Sequence, residues 1–137
     1  MSREFVALAI MGIDQHENGA IAVARVLREA QMKVGYFGKF QSPVSVAERA
    51  IAEDADVIGI SCHSWEYMTL VPQLVTELRE RGSDIPVIIG GSVITPEDGE
   101  KMKAAGVAAV FATAMDGERV IETVRELGTA RRNRQLL

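Results

Sequence analysis

A chain of 137 residues suits one domain and can bury a sizeable core without disulfide or metal staples. Its composition, 47% hydrophobic and 25% charged, is that of an ordinary soluble globular protein whose apolar runs are too short and interrupted to span a bilayer. The net charge of -4 argues against a nucleic-acid surface, and a lone Cys62 excludes an internal disulfide and a cysteine-rich zinc site.

The start, Met1-Ser2-Arg3-Glu4-Phe5, lacks the basic, apolar and small-residue succession of a secretory signal, so a cytoplasmic location is expected. Phe5-Val6-Ala7-Leu8-Ala9-Ile10 is a continuous apolar run, as a parallel strand covered on both faces requires. From Gly19 the period changes: Ala20, Val23, Ala24 and Leu27 fall on one face of a helix that runs to about Ala30. A second strand is predicted at Val34-Gly35-Tyr36-Phe37, followed by Ser42-Pro43 as a helix entry with Ala47, Ala50 and Ile51 facing inward.

Val57-Ile58-Gly59-Ile60-Ser61 reads as a central strand with a polar exit, Ser61-Cys62-His63-Ser64-Trp65-Glu66-Tyr67. The following helix has Val71, Leu74, Val75 and Leu78 inside, ends near Arg81-Gly82, and is expected to carry Pro72 in its first turn. Pro86-Val87-Ile88-Ile89 is the fourth strand, with Gly90-Gly91 at its exit. Thr95 then reads as an N-cap before Pro96 and two acids. Ala108-Ala109-Val110-Phe111 is the fifth strand, and a last helix capped near Asp116 uses Val120, Ile121, Val124 and Leu127. Residues 1–130 are thus expected to form the domain, and the basic run Arg131-Arg132-Asn133-Arg134 to open a flexible, solvated tail over 131–137.

This alternation predicts an α/β fold: a flavodoxin-like, five-stranded parallel sheet in the order 2-1-3-4-5 with helices on both faces. In that order the first and third strands border the point where the order reverses, and ligands bind at such points. The loops at Asp14 to Gly19, at Ser61 to Tyr67 and after Gly90-Gly91 should therefore share one edge. The first holds one of only two histidines, His16, two residues after Asp14. An imidazole on a rigid loop can offer one nitrogen to a metal while a carboxylate fixes the other. Taken alone, the same pair also fits a solvated turn.

Together, the three exits resemble the cobalamin-binding domain of adenosylcobalamin-dependent acyl-CoA mutases, with pattern D-x-H-x-x-G, then S-x-L, then G-G. Asp14, His16 and Gly19 match the first element, Ser61 opens the second, and Gly90-Gly91 match the third. The resemblance implies that His16 is the lower axial ligand of cobalt in a base-off, His-on state, with Asp14 bonded to the far side of its ring and Gln15 beside them. It further implies that Gly19 lets the nucleotide tail pass close to backbone and that Ser61 bonds the displaced benzimidazole. Gly90 and Gly91 would leave room for the tail, and Thr113 would offer it a hydroxyl. Three positions depart from the pattern: Ile10 stands where acyl-CoA mutases usually have lysine, His63 takes the S-x-L leucine position, and Ala112-Thr113-Ala114 replaces a glycine-proline-glycine. At His63, stacking on the tail, a bond to phosphate and simple packing all stay open.

A chain of this length has no room for a substrate barrel. The resemblance therefore implies a small subunit binding adenosylcobalamin in a hetero-oligomer with a large TIM-barrel subunit that binds the CoA ester, with no nucleic acid and no membrane. A cobalamin carrier, or the small subunit of another mutase such as glutamate mutase, is the alternative. Other classes fit less well. The acidic first loop is unfavourable for a flavin phosphate, Ser61 stands where a receiver domain needs aspartate, and His16, His63, Cys62 and Asp14 are poorly spaced for zinc.

Overall fold

The computed structural model describes residues 4–112 and 116–136. β1 (Phe5–Met11) is buried along its whole length, because it is an inner strand and helices cover both faces of its sheet. Its side chains alternate. Phe5, Ala7, Ala9 and Met11 join one apolar cluster and Val6 and Leu8 the other. The chain continues through α1 (Asn18–Glu29), β2 (Lys33–Gln41), α2 (Pro43–Ala52), β3 (Val57–Ser61), α3 (Tyr67–Glu80), β4 (Val87–Gly90), α4 (Pro96–Ala104), β5 (Ala109–Phe111) and α5 (Gly117–Gln135). The five strands are parallel in the order β2-β1-β3-β4-β5. The first cluster packs α2, α3 and α4 against one face, and the second packs α1 and α5 against the other.

Local chemistry sets most boundaries. Ser42 caps α2 in a reciprocal capping box with Ser45, and Thr95 and Asp116 accept the N–H groups of Asp98 and Arg119 at the starts of α4 and α5. Four expectations are corrected. β2 runs on to Gln41 through register shifts against β1, with Gly38 and Phe40 at positive φ, so this edge strand is bulged and longer than its apolar core suggests. On α2 it is Val46, not Ile51, that is buried with Ala47 and Ala50. Pro72 lies inside α3 instead of in its first turn. The helix starts earlier because Tyr67 is buried and the Glu66 carbonyl accepts the Leu70 N–H.

The basic run is the fourth. Instead of a solvated tail, Arg131 to Gln135 continue α5, and Arg131 is buried against Asp54, Asp56 and Asp84 at 3.0–3.3 Å. Three carboxylates clustered at the edge opposite the strand exits hold what the composition alone marks as solvated.

Candidate functional site

β1 ends in a turn at Gly12, whose φ of 72° suits only glycine comfortably and whose N–H bonds the Gln41 carbonyl. The next residues rise above the strand exits and bring Asp14 back over β3. Asp14 is buried, and each of its oxygens is used. Oδ1 accepts the His16 ring at 2.8 Å and the His16 amide at 3.1 Å, while Oδ2 accepts the His63 main-chain N–H at 2.8 Å. Burial by itself would raise the Asp14 carboxyl, but these hydrogen bonds outweigh it and hold the group below its ordinary range. An ionised carboxylate only accepts, so the neutral imidazole carries its proton on Nδ1 and keeps the lone pair on Nε2. The pair is asymmetric in exposure, 4% for the Asp14 side chain and 68% for that of His16, which leaves the outer nitrogen of the ring open to a ligand.

Beside this loop, between the strand exits and α1, lies a cavity of about 220 Å³. Leu8, Ala20, Val23, Ile60, Ile88, Ile89, Phe111 and Val120 make its walls apolar, and Ser61, His63 and Ser92 bring the polar side chains. Gly19, Gly90 and Gly91 line it as well. Of the sequence-predicted residues, Gly19, Ser61, His63, Gly90 and Gly91 line the cavity and the Asp14–His16 pair stands beside it next to His63, whereas Gln15 is exposed and outside the lining and Thr113 lies outside the described residues. The two glycines at the β4 exit differ in kind. A Cβ on Gly90 would make ordinary contacts with Phe111, whereas one on Gly91 would fall 1.7 Å from the Cys62 carbonyl oxygen. Gly91 is thus required by the β3 backbone before any ligand is considered.

His63 is half-buried at the cavity edge. Its ring lies 5.4 Å from that of His16, tilted by 32°, and its Nδ1 is 3.4 Å from Ser61 Oγ. Position 10, where the resemblance expects lysine, is Ile10, fully buried in β1, so Asp14 is held by two loop groups and not by a cation from the strand.

Sequence reasoning missed two supports of the loop. The Glu66 carboxylate accepts the Ile13 N–H at 3.0 Å and the Ser64 hydroxyl at 3.3 Å, filling the space a side chain at Gly12 would need. Glu17, directly after the exposed histidine, accepts the Tyr36 hydroxyl and pairs with Lys39 at 3.1 Å. Neither has a sequence signature, because both join residues far apart in the chain.

A flavodoxin-like domain with an apolar cavity at its strand-order reversal, and a carboxylate-held imidazole at the rim, is a cofactor-binding α/β module. The B12 binding domain model matches residues 6–125, and the chain belongs to that family. It is 37% identical over 126 residues to the 2-hydroxyisobutanoyl-CoA mutase small subunit of Aquincola tertiaricarbonis, covering 92% of this chain and 93% of the relative. It is 36% identical to the pivalyl-CoA mutase small subunit of Xanthobacter autotrophicus, over 90% of this chain and 82% of the relative. Ethylmalonyl-CoA mutase of Cereibacter sphaeroides is 39% identical over 73% of this chain, which there spans only 15% of the relative's length. Among solved structures, a cobalamin-binding protein from Desulfitobacterium hafniense superposes with a TM-score of 0.79 at 16% identity, covering 91% of this chain and 59% of that one, and shows the same fold.

The residues present fit a corrinoid. The exposed nitrogen of His16 suits a metal, the buried Asp14 fixes its tautomer, and the adjoining apolar cavity suits a flat aromatic group.

Proposed function

We propose that this chain is the cobalamin-binding small subunit of a heteromeric adenosylcobalamin-dependent acyl-CoA mutase, acting in the cytoplasm with a large TIM-barrel subunit that binds the CoA ester. The observation that carries the reading is the bond from the His16 ring to buried Asp14, beside the apolar cavity that His63 lines. His16 is assigned as the lower axial ligand of cobalt, with the cofactor base-off and its nucleotide tail in the cavity. Asp14 orients the ring and fixes its tautomer. Ser61 donates to the tail base, Gly19 and Gly90 leave it room, and Gln15, His63 and Thr113 are assigned to the cofactor's surroundings. The bound cofactor supplies a cobalt–carbon bond whose homolysis starts a radical carbon-skeleton rearrangement. Among the described residues no helix is long and apolar enough to cross a membrane, and Cys62 is buried and unpaired.

The names of the small-subunit relatives support a separate large subunit, because a small subunit by definition has a larger partner. Residues 6–125 match the B12 binding domain model, which supports the cofactor-binding role. Titration with hydroxocobalamin should give a base-off, His-ligated spectrum that is lost in His16→Ala. A spectrum that stays base-on at saturating protein rejects the ligand assignment. Reconstitution with a large mutase subunit should then give CoA-ester isomerisation. Binding without turnover favours a cobalamin carrier, a reading kept because Ile10 leaves Asp14 without the strand lysine of the mutases.

A further inference from the structure

We infer that His63 is a door: its imidazole closes the passage between the rim that carries His16 and the apolar cavity, and so makes this residue decide how corrinoids with and without a nucleotide tail are admitted. The inference rests on the cobalamin reading above and goes beyond it.

The passage is defined by three residues. At the start of α1, an added Cβ on Gly19 would lie 3.1 Å from Cε1 of His63 and 3.5 Å from Ser61 Oγ, so helix and β3 exit approach closely at this level. The room freed by the missing side chain is taken by the imidazole. Its other contacts hold it there: Nδ1 lies 3.4 Å from Ser61 Oγ, and the ring leans on that of His16. The main chain is tied down separately, since the His63 N–H bonds Asp14 Oδ2. The ring can therefore clear the passage by side-chain rotation while the loop stays in place. Rotation also frees Ser61 Oγ, which lines the cavity at the β3 exit, to meet an entering group. A corrin resting on His16 need not pass this point, but its tail must.

When the competent state is populated only in part, the apparent association rate falls by that fraction. Losing one weak hydrogen bond and one ring contact is worth about a tenfold change. Stopped-flow mixing of the full chain with hydroxocobalamin and with aquocobinamide, which lacks the tail, reads this through cobalt absorbance. His63→Ala should raise the hydroxocobalamin association rate about tenfold and leave the aquocobinamide rate unchanged. His63→Leu keeps bulk but loses the bond to Ser61, should give a smaller rise, and serves if the alanine variant does not fold. Equal acceleration with both corrinoids, or none in any folded variant, overturns the door while leaving cobalamin binding intact. Wild-type protein that binds neither corrinoid overturns the cobalamin reading itself.

Discussion

Asp14 Oδ2 accepts the main-chain N–H of His63 across 49 residues of sequence, and its other oxygen holds the His16 ring, so one carboxylate locks the β3 exit to the proposed metal ligand. Asn at this position turns an NH2 toward a donor that expects an acceptor. Asp14→Asn should weaken hydroxocobalamin binding about 10- to 100-fold in an absorbance titration. It should also lower stability by about 1–3 kcal/mol in urea unfolding, because a buried N–H is left unpaired.

The two glycines at the β4 exit should separate folding from binding. Gly91 has a φ of 155° and no space beside the Cys62 carbonyl, so Gly91→Ala should cost about 3 kcal/mol or more. Gly90→Ala meets only ordinary contacts. It should melt near wild type while losing affinity for hydroxocobalamin, since its methyl enters the cavity lining.

At the opposite edge of the sheet, Arg131 and Arg132 both reach the buried carboxylate of Asp56, which also accepts the Phe5 N–H. Arg131→Ala should cost about 2–3 kcal/mol by urea unfolding, below the 3–5 usual for breaking a buried pair, because Asp56 keeps its other donors.

The acid limb of stability should report the same cluster. Burial by itself raises the Asp84 carboxyl, but Arg134 and Arg131 outweigh it and set it below its ordinary value of 3.8. A carboxylate depressed on folding adds stability that is fully present above the unfolded value and is lost as pH falls through the folded one. Unfolding midpoints should therefore drop below about pH 4, and Asp84→Asn should flatten that slope. The change should be no more than about 1 kcal/mol, since Asp84 is 44% exposed and its pairs are screened by solvent.

Tyr36 couples β2 to the loop before α1. Burial, then the bond to Glu17, pushes its ionisation up to about 12, and Tyr67 is raised to about 12 by burial near Asp98. An ultraviolet titration should show neither tyrosine ionising near pH 10 while the fold persists, and both doing so after unfolding in urea. Tyr36→Phe leaves Glu17 held by Lys39 alone and should speed amide exchange in the first turn of α1, with little change elsewhere.

Much of this was readable from residues alone where the cause is local. Ser42-Pro43, Thr95-Pro96 and Asp116 act through their own next three amides, and all three helix starts stand where the sequence puts them. Ile51 misled because an apolar residue on a helix can face either a core or water, and α2 lies so that Val46 fills the core position. Pro72 misled because proline fits a first turn best. A start tied down by buried Tyr67 and by Glu66, which reaches Ile13, outweighs its cost within α3.

The order of apolar runs, their length and the glycine and proline punctuation determined a doubly covered parallel sheet, because its inner strands must bury both faces and each connection must cross over. The D-x-H pair likewise carries its own bond, being only two residues apart. Which distant groups complete it was decided by tertiary structure alone. The His63 amide on Asp14, Tyr36 and Lys39 on Glu17, and the aspartates around Arg131 meet only after the sheet has assembled. Long-range polar contacts leave no periodic trace in the chain, since a single donor reaching a single acceptor needs proximity and not pattern.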